Sequence, residues 1–114
     1  MMNKIDYLEL VLSLKKTHVE LLKNDNLVVI DIRNAPKEVK KTKIKGSLEI
    51  PAKDIASRLE EIDKSKVVVV YDWNGGTDLG KVAQLILLKN GFDAYELSGG
   101  IEAWVGMNLP LDEL

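Results

Sequence analysis

The chain has no cysteine and a single histidine, His18, among its 114 residues, with only three prolines and one phenylalanine. Without a thiol there is no disulfide, no thiolate metal site and no reaction through a cysteine nucleophile. One imidazole is too few for a histidine-rich metal centre, so neither a metal nor a cofactor is expected. No apolar run approaches the roughly 18 residues of a membrane span, and the N-terminus lacks a signal-type apolar segment with a cleavage site. The expectation is a cytoplasmic protein without a membrane partner. A net charge of −2 and a pI near 5.4 provide no global attraction toward nucleic acid.

What is present fits one globular domain spanning residues 1–114. Hydrophobic residues make up 46% of the chain and charged residues 30%, and a domain of this size buries roughly 65% of its unfolded surface, enough to fold without staples. One local charge run, Lys37, Lys40, Lys41, Lys43 and Lys45, reads as a solvated basic loop, with an acidic partner surface as the alternative.

Residues 5–23 carry Leu8, Val11, Leu12, Val19 and Leu22 near helical spacing, interrupted around Thr17 and His18, so they predict one helix or a broken one. Leu27–Ile30 is a β-branched apolar run that reads as a strand buried on both faces, with Asp31 and Arg33 at its carboxyl end. A polar connection over 34–46 leads to a short strand at Leu48–Ile50. Asp54 is placed to cap a helix containing Ile55, Leu59 and Ile62. Val67–Tyr71 is the clearest strand. Asp78 is placed to cap an amphipathic helix with Leu79, Val82, Ala83, Ile86 and Leu87 on its apolar stripe, stopped by Asn90–Gly91. Asp93–Leu97 is a further strand, and Ser98–Gly99–Gly100 turns into a short helix with Ile101, Ala103 and Trp104. Strands alternating with helices predict an α/β fold: a short, mainly parallel sheet in a three-layer α/β/α arrangement.

Sites in such sheets form at the carboxyl ends of the strands. The candidate binding loop here is Asp72, Trp73, Asn74, Gly75, Gly76, Thr77 and Asp78. It runs from a strand into a helix, where amides and the helix N-terminus would cradle an anion. Two carboxylates, Asp72 and Asp78, compete for that positive field. Trp73 reads either as a lid on a shallow pocket or as an anchor for a partner. His18 and Trp104 read as packing residues, and Asp31 with Arg33 as a scaffold that fixes the strand end.

The order Val-Ile-Asp-Ile-Arg (29–33), Ile-Lys-Gly-Ser-Leu-Glu-Ile-Pro (44–51), Val-Val-Tyr-Asp with Gly75 (69–75), Gly-Phe-Asp-Ala-Tyr-Glu-Leu-Ser-Gly-Gly-Ile-Glu-Ala-Trp (91–104) and Leu-Pro (109–110) closely resembles a rhodanese-like domain over about residues 27–110. The resemblance implies the fold of thiosulfate sulfurtransferases and an active loop of the form Cys-x-x-Gly-x-Arg-Ser, whose cysteine carries a persulfide. On this chain the cysteine position is Asp72, the glycine is kept as Gly75, the arginine position is Thr77 and the serine position is Asp78. The family's Gly-His-Ile pattern falls on Thr42–Lys43–Ile44. Nucleophile and cationic partner are both absent. A carboxylate cannot hold a transferable sulfane sulfur, so neither sulfurtransferase nor cysteine-dependent phosphatase activity is expected, and no residue is assigned as catalytic.

The expected role is therefore a pseudoenzyme that binds or regulates a protein partner. The Asp72 carboxylate is expected to accept amides near Gly75 to Thr77 and fill the anion cradle, so a small anion is disfavoured. The alternative is an enzyme or anion-binding domain that uses the Asp72–Asp78 loop. It would either position a substrate for a partner's cysteine or run phosphoryl chemistry, since Asp72-x-Asn-Gly-Gly-Thr is similar to the Asp-x-Asp-Gly-Thr motif of haloacid dehalogenase-like phosphatases. Against the latter, Asn74 replaces the second acid and an extra glycine intervenes.

Overall fold

A computed structural model describes residues 2–114. The two most apolar runs of the sequence become its central strands, β2 (Leu27–Asp31) and β5 (Val67–Tyr71), paired in parallel with Val29 opposite Val69. Around them, β1 (Lys15–Lys16), β4 (Leu48–Glu49) and β6 (Ala94–Leu97) complete a five-stranded sheet in the order β1-β6-β5-β2-β4, parallel throughout. The edge strands β1 and β4 are two residues long, which limits the unpaired backbone the sheet offers to another chain.

Because side chains alternate across a strand, β5 serves two cores. Val68 and Val70 join Ile30, Ile32, Ile50, Ile55, Ala83 and Leu87 on one face, beneath α4 (Leu79–Lys89). Val69 and Tyr71 join Ile44, Leu97, Ile101 and Trp104 on the other, beneath α5 (Gly100–Gly106). This is the expected three-layer α/β/α arrangement, with Trp104 buried as predicted and its Nε1 donating to the Pro110 carbonyl at 2.8 Å.

Several local expectations change. Residues 5–23 split into α1 (Lys4–Ser13), the edge strand β1, and α2 (His18–Lys23), and α1 and α2 bury none of their residues. The break falls at Thr17, the N-cap of α2, where a capping box with Glu20 starts a new helix. The polar connection contains α3 (Lys37–Lys40) and β3 (Thr42–Ile44), and β3 pairs antiparallel with β7 (Leu111–Glu113) as a separate two-stranded sheet. The basic run is thus only partly solvated: Lys40 is nearly buried against Glu49, and Lys43 Nζ donates to the Ser47 carbonyl at 2.6 Å.

The helix expected after Asp54 is instead two 3₁₀ turns, Ala52–Ser57 and Leu59–Glu61. Its apolar residues are buried as expected at Ile55 and Ile62. Amides bond three residues back, as in Asp54 to Pro51 and Arg58 to Ile55, so the segment tightens before an α-helical ladder forms. In α4 the buried face is Gly80, Ala83, Gln84 and Leu87, while Leu79 and Val82 remain exposed. Gln84 is drawn inward because its Nε2 donates to the carbonyls of Leu14 and Ala94 at 2.9 and 3.1 Å.

Candidate functional site

The Asp72–Asp78 loop leaves β5 at the carboxyl edge of the sheet and enters α4, as the strand-to-helix pattern requires. Its first residues are tied down by α5. The amide of Ile101 donates to the Asp72 carbonyl at 3.0 Å, and that of Glu102 to the Trp73 carbonyl at 2.9 Å. This approach explains Gly100. Its φ is +61°, and a Cβ there would lie 2.5 Å from the Asp72 carbonyl oxygen and 2.9 Å from Asn74 backbone atoms.

Asp72 is 3% exposed. Its Oδ1 accepts the Trp73 amide at 2.7 Å, and its Oδ2 accepts the Thr77 hydroxyl in a short contact. The carboxylate therefore turns into the loop as expected, but its partners are not the amides of residues 75–77. The Gly76 amide already donates to Asn74 Oδ1 at 2.7 Å, closing an Asx turn within the loop. Asn74 Nδ2 reaches Glu102 Oε2 at 3.3 Å, a second tie to α5. Thr77, at the position of a family arginine, thus closes the loop through a neutral hydroxyl.

Asp78 occupies the N-cap position of α4, and its carbonyl accepts the Val82 amide at 2.9 Å. Its side chain makes no capping bond. With φ −90° and ψ 0° the residue is already helical, not in the extended conformation that turns a cap side chain back onto the first amides. The loop rim is therefore acidic, and Gly75, Gly76, Thr77 and Asp78 are exposed.

Trp73, 37% exposed, lies over the guanidinium of Arg33 at 4.5 Å from ring centroid to Cζ. Arg33 is itself buried. Its Nε and Nη2 bond Asp31 at 2.9 and 2.7 Å, and Nη2 also donates to the Thr42 carbonyl at 2.7 Å. Burial opposes the charge on Arg33 most strongly, but the bonds to Asp31 and its charge, together with Tyr71, outweigh it and hold the guanidinium above its ordinary range. The ring of Trp73 lies over a scaffold ion pair and stays partly exposed to solvent.

Sequence reasoning missed the polar group around the Tyr71 hydroxyl. The Tyr71 hydroxyl accepts the Ile44 amide at 3.0 Å and bonds the Ser47 hydroxyl at 2.9 Å, linking β5 to the β3–β4 connection. Burial first, and then the charge of Asp31, push the Tyr71 phenol well above its ordinary range. The one available signal was a tyrosine ending a run of four valines. Among the described residues no group of three or more carboxylates and imidazoles could hold a metal ion.

The comparisons agree with this architecture. The Rhodanese-like domain family matches residues 14–107. The chain is 32% identical over 92 residues to a protein of Allochromatium vinosum named a sulfurtransferase, covering 80% of this chain and 83% of that protein. It is 26% identical over 94 residues to a thiosulfate sulfurtransferase of Glaesserella parasuis, covering 82% and 84%. A full-length protein from Lactobacillus plantarum, solved by crystallography, superposes with a TM-score of 0.94 at 51% identity, covering 97% of each chain. The chain belongs to the rhodanese-like domain family.

Proposed function

We propose that this chain is a catalytically silent rhodanese-like domain of the cytoplasm that works by binding a protein partner, with the rim from Trp73 to Asp78 as its working surface. One observation carries this reading: the buried Asp72 carboxylate, held by the Trp73 amide and the Thr77 hydroxyl, stands at the nucleophile position of a chain without cysteine. Transfer of sulfane sulfur requires a nucleophile that forms and releases an S–S bond, and a carboxylate does neither. The same carboxylate, with Asp78 and Glu102 nearby in the loop and α5, opposes entry of thiosulfate or phosphate. The relatives' activity is therefore not carried over, while the loop, tied to α5, presents an edge with Trp73 exposed at its start.

A ¹⁵N NMR titration with thiosulfate and with phosphate, following the amides of residues 73–78, tests the closed cradle. No saturable shift at millimolar anion is expected. Saturable shifts confined to this loop would overturn the reading in favour of anion binding, and thiocyanate formed from thiosulfate and cyanide would overturn catalytic silence. For the partner surface, a photo-cross-linking residue at Asn74 should capture a protein in cells where the same residue at the exposed Lys89, at the far end of α4 from the loop, does not. Equal capture at both positions would remove the rim from consideration.

A further inference from the structure

α1 is anchored at its C-terminal end, where the Leu14 carbonyl accepts Gln84 Nε2 at 2.9 Å and the Glu96 amide at 3.0 Å before β1 joins the sheet. None of its ten residues is buried. Helices this short fall below the roughly 12–15 residues at which an isolated helix is even marginal in water, so packing must supply the stability. Yet Ile5 is 68% exposed and Leu12 72%, and Tyr7 and Leu8 are exposed as well.

At about 100° per residue these side chains divide into two features. Tyr7, Val11 and Leu14 face α4 and, with Leu85 and Leu88, line a groove of about 340 Å³ edged by the exposed Lys15 and by Lys81, which pairs with Glu96 at 3.3 Å. Ile5, Leu8 and Leu12 form an apolar ridge along another flank of α1. Next to that ridge lies the helix's polar stripe, which contains Asp6, Glu9 and Ser13.

We propose that two copies of this chain associate about a two-fold axis, the α1 ridge of each entering the α1–α4 groove of the other. Three observations select this occupant. The surface carries both halves of the contact, an apolar ridge and an apolar groove, which is what an isologous interface demands. The charges are complementary at one contact: Glu9 borders the ridge and the exposed Lys15 the groove, whose other lysine, Lys81, is already paired to Glu96. The exposed apolar side chains of Ile5, Tyr7, Leu8, Leu12, Leu85 and Leu88 offer on the order of 650 Å² per copy, against about 800 Å² per partner in a standard interface that includes its polar rim. A lipid surface is disfavoured because the polar stripe of α1 is acidic, whereas interfacial helices carry lysine and arginine there.

Sedimentation of the full chain at micromolar concentration should show a dimer. Leu8→Glu, at an exposed position, should leave the circular dichroism of the fold intact and yield a monomer. The pairing itself is read by mixing. Glu9→Lys places lysine at both 9 and 15, and Lys15→Glu places glutamate at both, so each variant alone should dimerise about tenfold or more weakly. An equimolar mixture should restore a heterodimer in which both cross-contacts are matched. A monomer at every concentration, including one that binds an apolar dye in the groove, overturns the proposal. So does a dimer indifferent to Leu8→Glu, or a mixture no tighter than its components. None of these readouts depends on the Trp73–Asp78 loop, so the two readings stand or fall separately.

Discussion

Asp31 and Asp72 stand at the ends of neighbouring parallel strands, and both carboxylates are buried, but they are held by different chemistry. Asp31 meets a cation: Arg33 binds it through two guanidinium nitrogens and its own backbone amide, at 2.7–3.0 Å. Asp72 is held by an amide and a hydroxyl. The first arrangement neutralises its charge inside the scaffold and joins β2 to β3 through the Thr42 carbonyl. The second fills a loop while leaving its negative charge to be felt at the rim. A buried carboxylate can therefore be held by a cation at one strand end and by neutral donors at the next.

The largest effect is expected from breaking the Asp31 pair on one side. Arg33→Met leaves the buried Asp31 carboxylate only the Lys40 ammonium, 3.9 Å away, as a cation, and breaking such a buried pair costs about 3–5 kcal/mol. The variant should show a greatly lowered midpoint in urea denaturation. Adding Asp31→Leu removes the orphaned charge and should recover much of the loss, because replacing a buried pair by apolar residues is often close to neutral. If the double variant is as unstable as the single one, Arg33 acts through the Thr42 carbonyl and Trp73, and the contrast with Asp72 is weaker than argued.

Asp72→Ala is the matching change at the second strand end. It removes two bonds to a charged acceptor, each worth roughly 1.5–3 kcal/mol where the geometry is well formed, and relieves some repulsion from Asp78. A net loss of about 1.5–3 kcal/mol in thermal or urea unfolding is expected. An unchanged or raised melting temperature would show that Asp72 is merely tolerated, and would break the comparison outright.

Between the two lies Tyr71, raised first by burial and then by the charge of Asp31. Tyr71→Phe strands the Ile44 amide and Ser47 hydroxyl and should cost about 1–2 kcal/mol. The sign of its pH dependence follows from linkage. The folded state holds the phenol's proton more tightly than the unfolded chain, so the contribution is complete below the unfolded value near 10 and is lost as pH rises through the folded one. Wild type should lose stability in alkaline solution above about pH 10, with a smaller loss in Tyr71→Phe. Identical alkaline profiles would place the titration elsewhere, Tyr95 being the other raised phenol.

The parts of this molecule legible in the sequence are those where local pattern and burial coincide. The valine run of β5, the Asp31–Arg33 strand end and the Gly99–Gly100 turn have residue types that few other environments accept. The stripe at residues 5–23 allows one helix or a broken one, and the structure takes the broken form; only the sheet edge at Lys15–Lys16, a two-residue strand with no apolar signal, escapes the pattern. At the loop, the inward turn of Asp72 followed from the carboxylate itself. The choice of Thr77 over the Gly76 amide did not, since it depended on Asn74 claiming that amide first. Such competition between adjacent donors is settled by three-dimensional reach and leaves no periodic trace. The Tyr71–Ser47–Ile44 group escaped for the same reason, its members being 24 and 27 residues apart.

The smallest stability effect separates scaffold from surface most cleanly. Trp73 covers the Arg33 guanidinium at 4.5 Å and is 37% exposed, so Trp73→Ala should cost only about 0.5–1 kcal/mol, the range for a half-solvated cation–π contact. Trp73→Phe should retain part of it. A binding anchor behaves differently, since truncating a central aromatic side chain at an interface commonly costs 2 kcal/mol or more in affinity. If the rim from Trp73 to Asp78 engages a partner, Trp73→Ala should abolish cross-linking from position 74 while the melting temperature shifts by only a few degrees. Cross-linking retained at full strength would assign Trp73 to the Asp31–Arg33 scaffold alone. The acidic loop would then have to recognise its partner through Asp78 and the exposed backbone of Gly75 and Gly76.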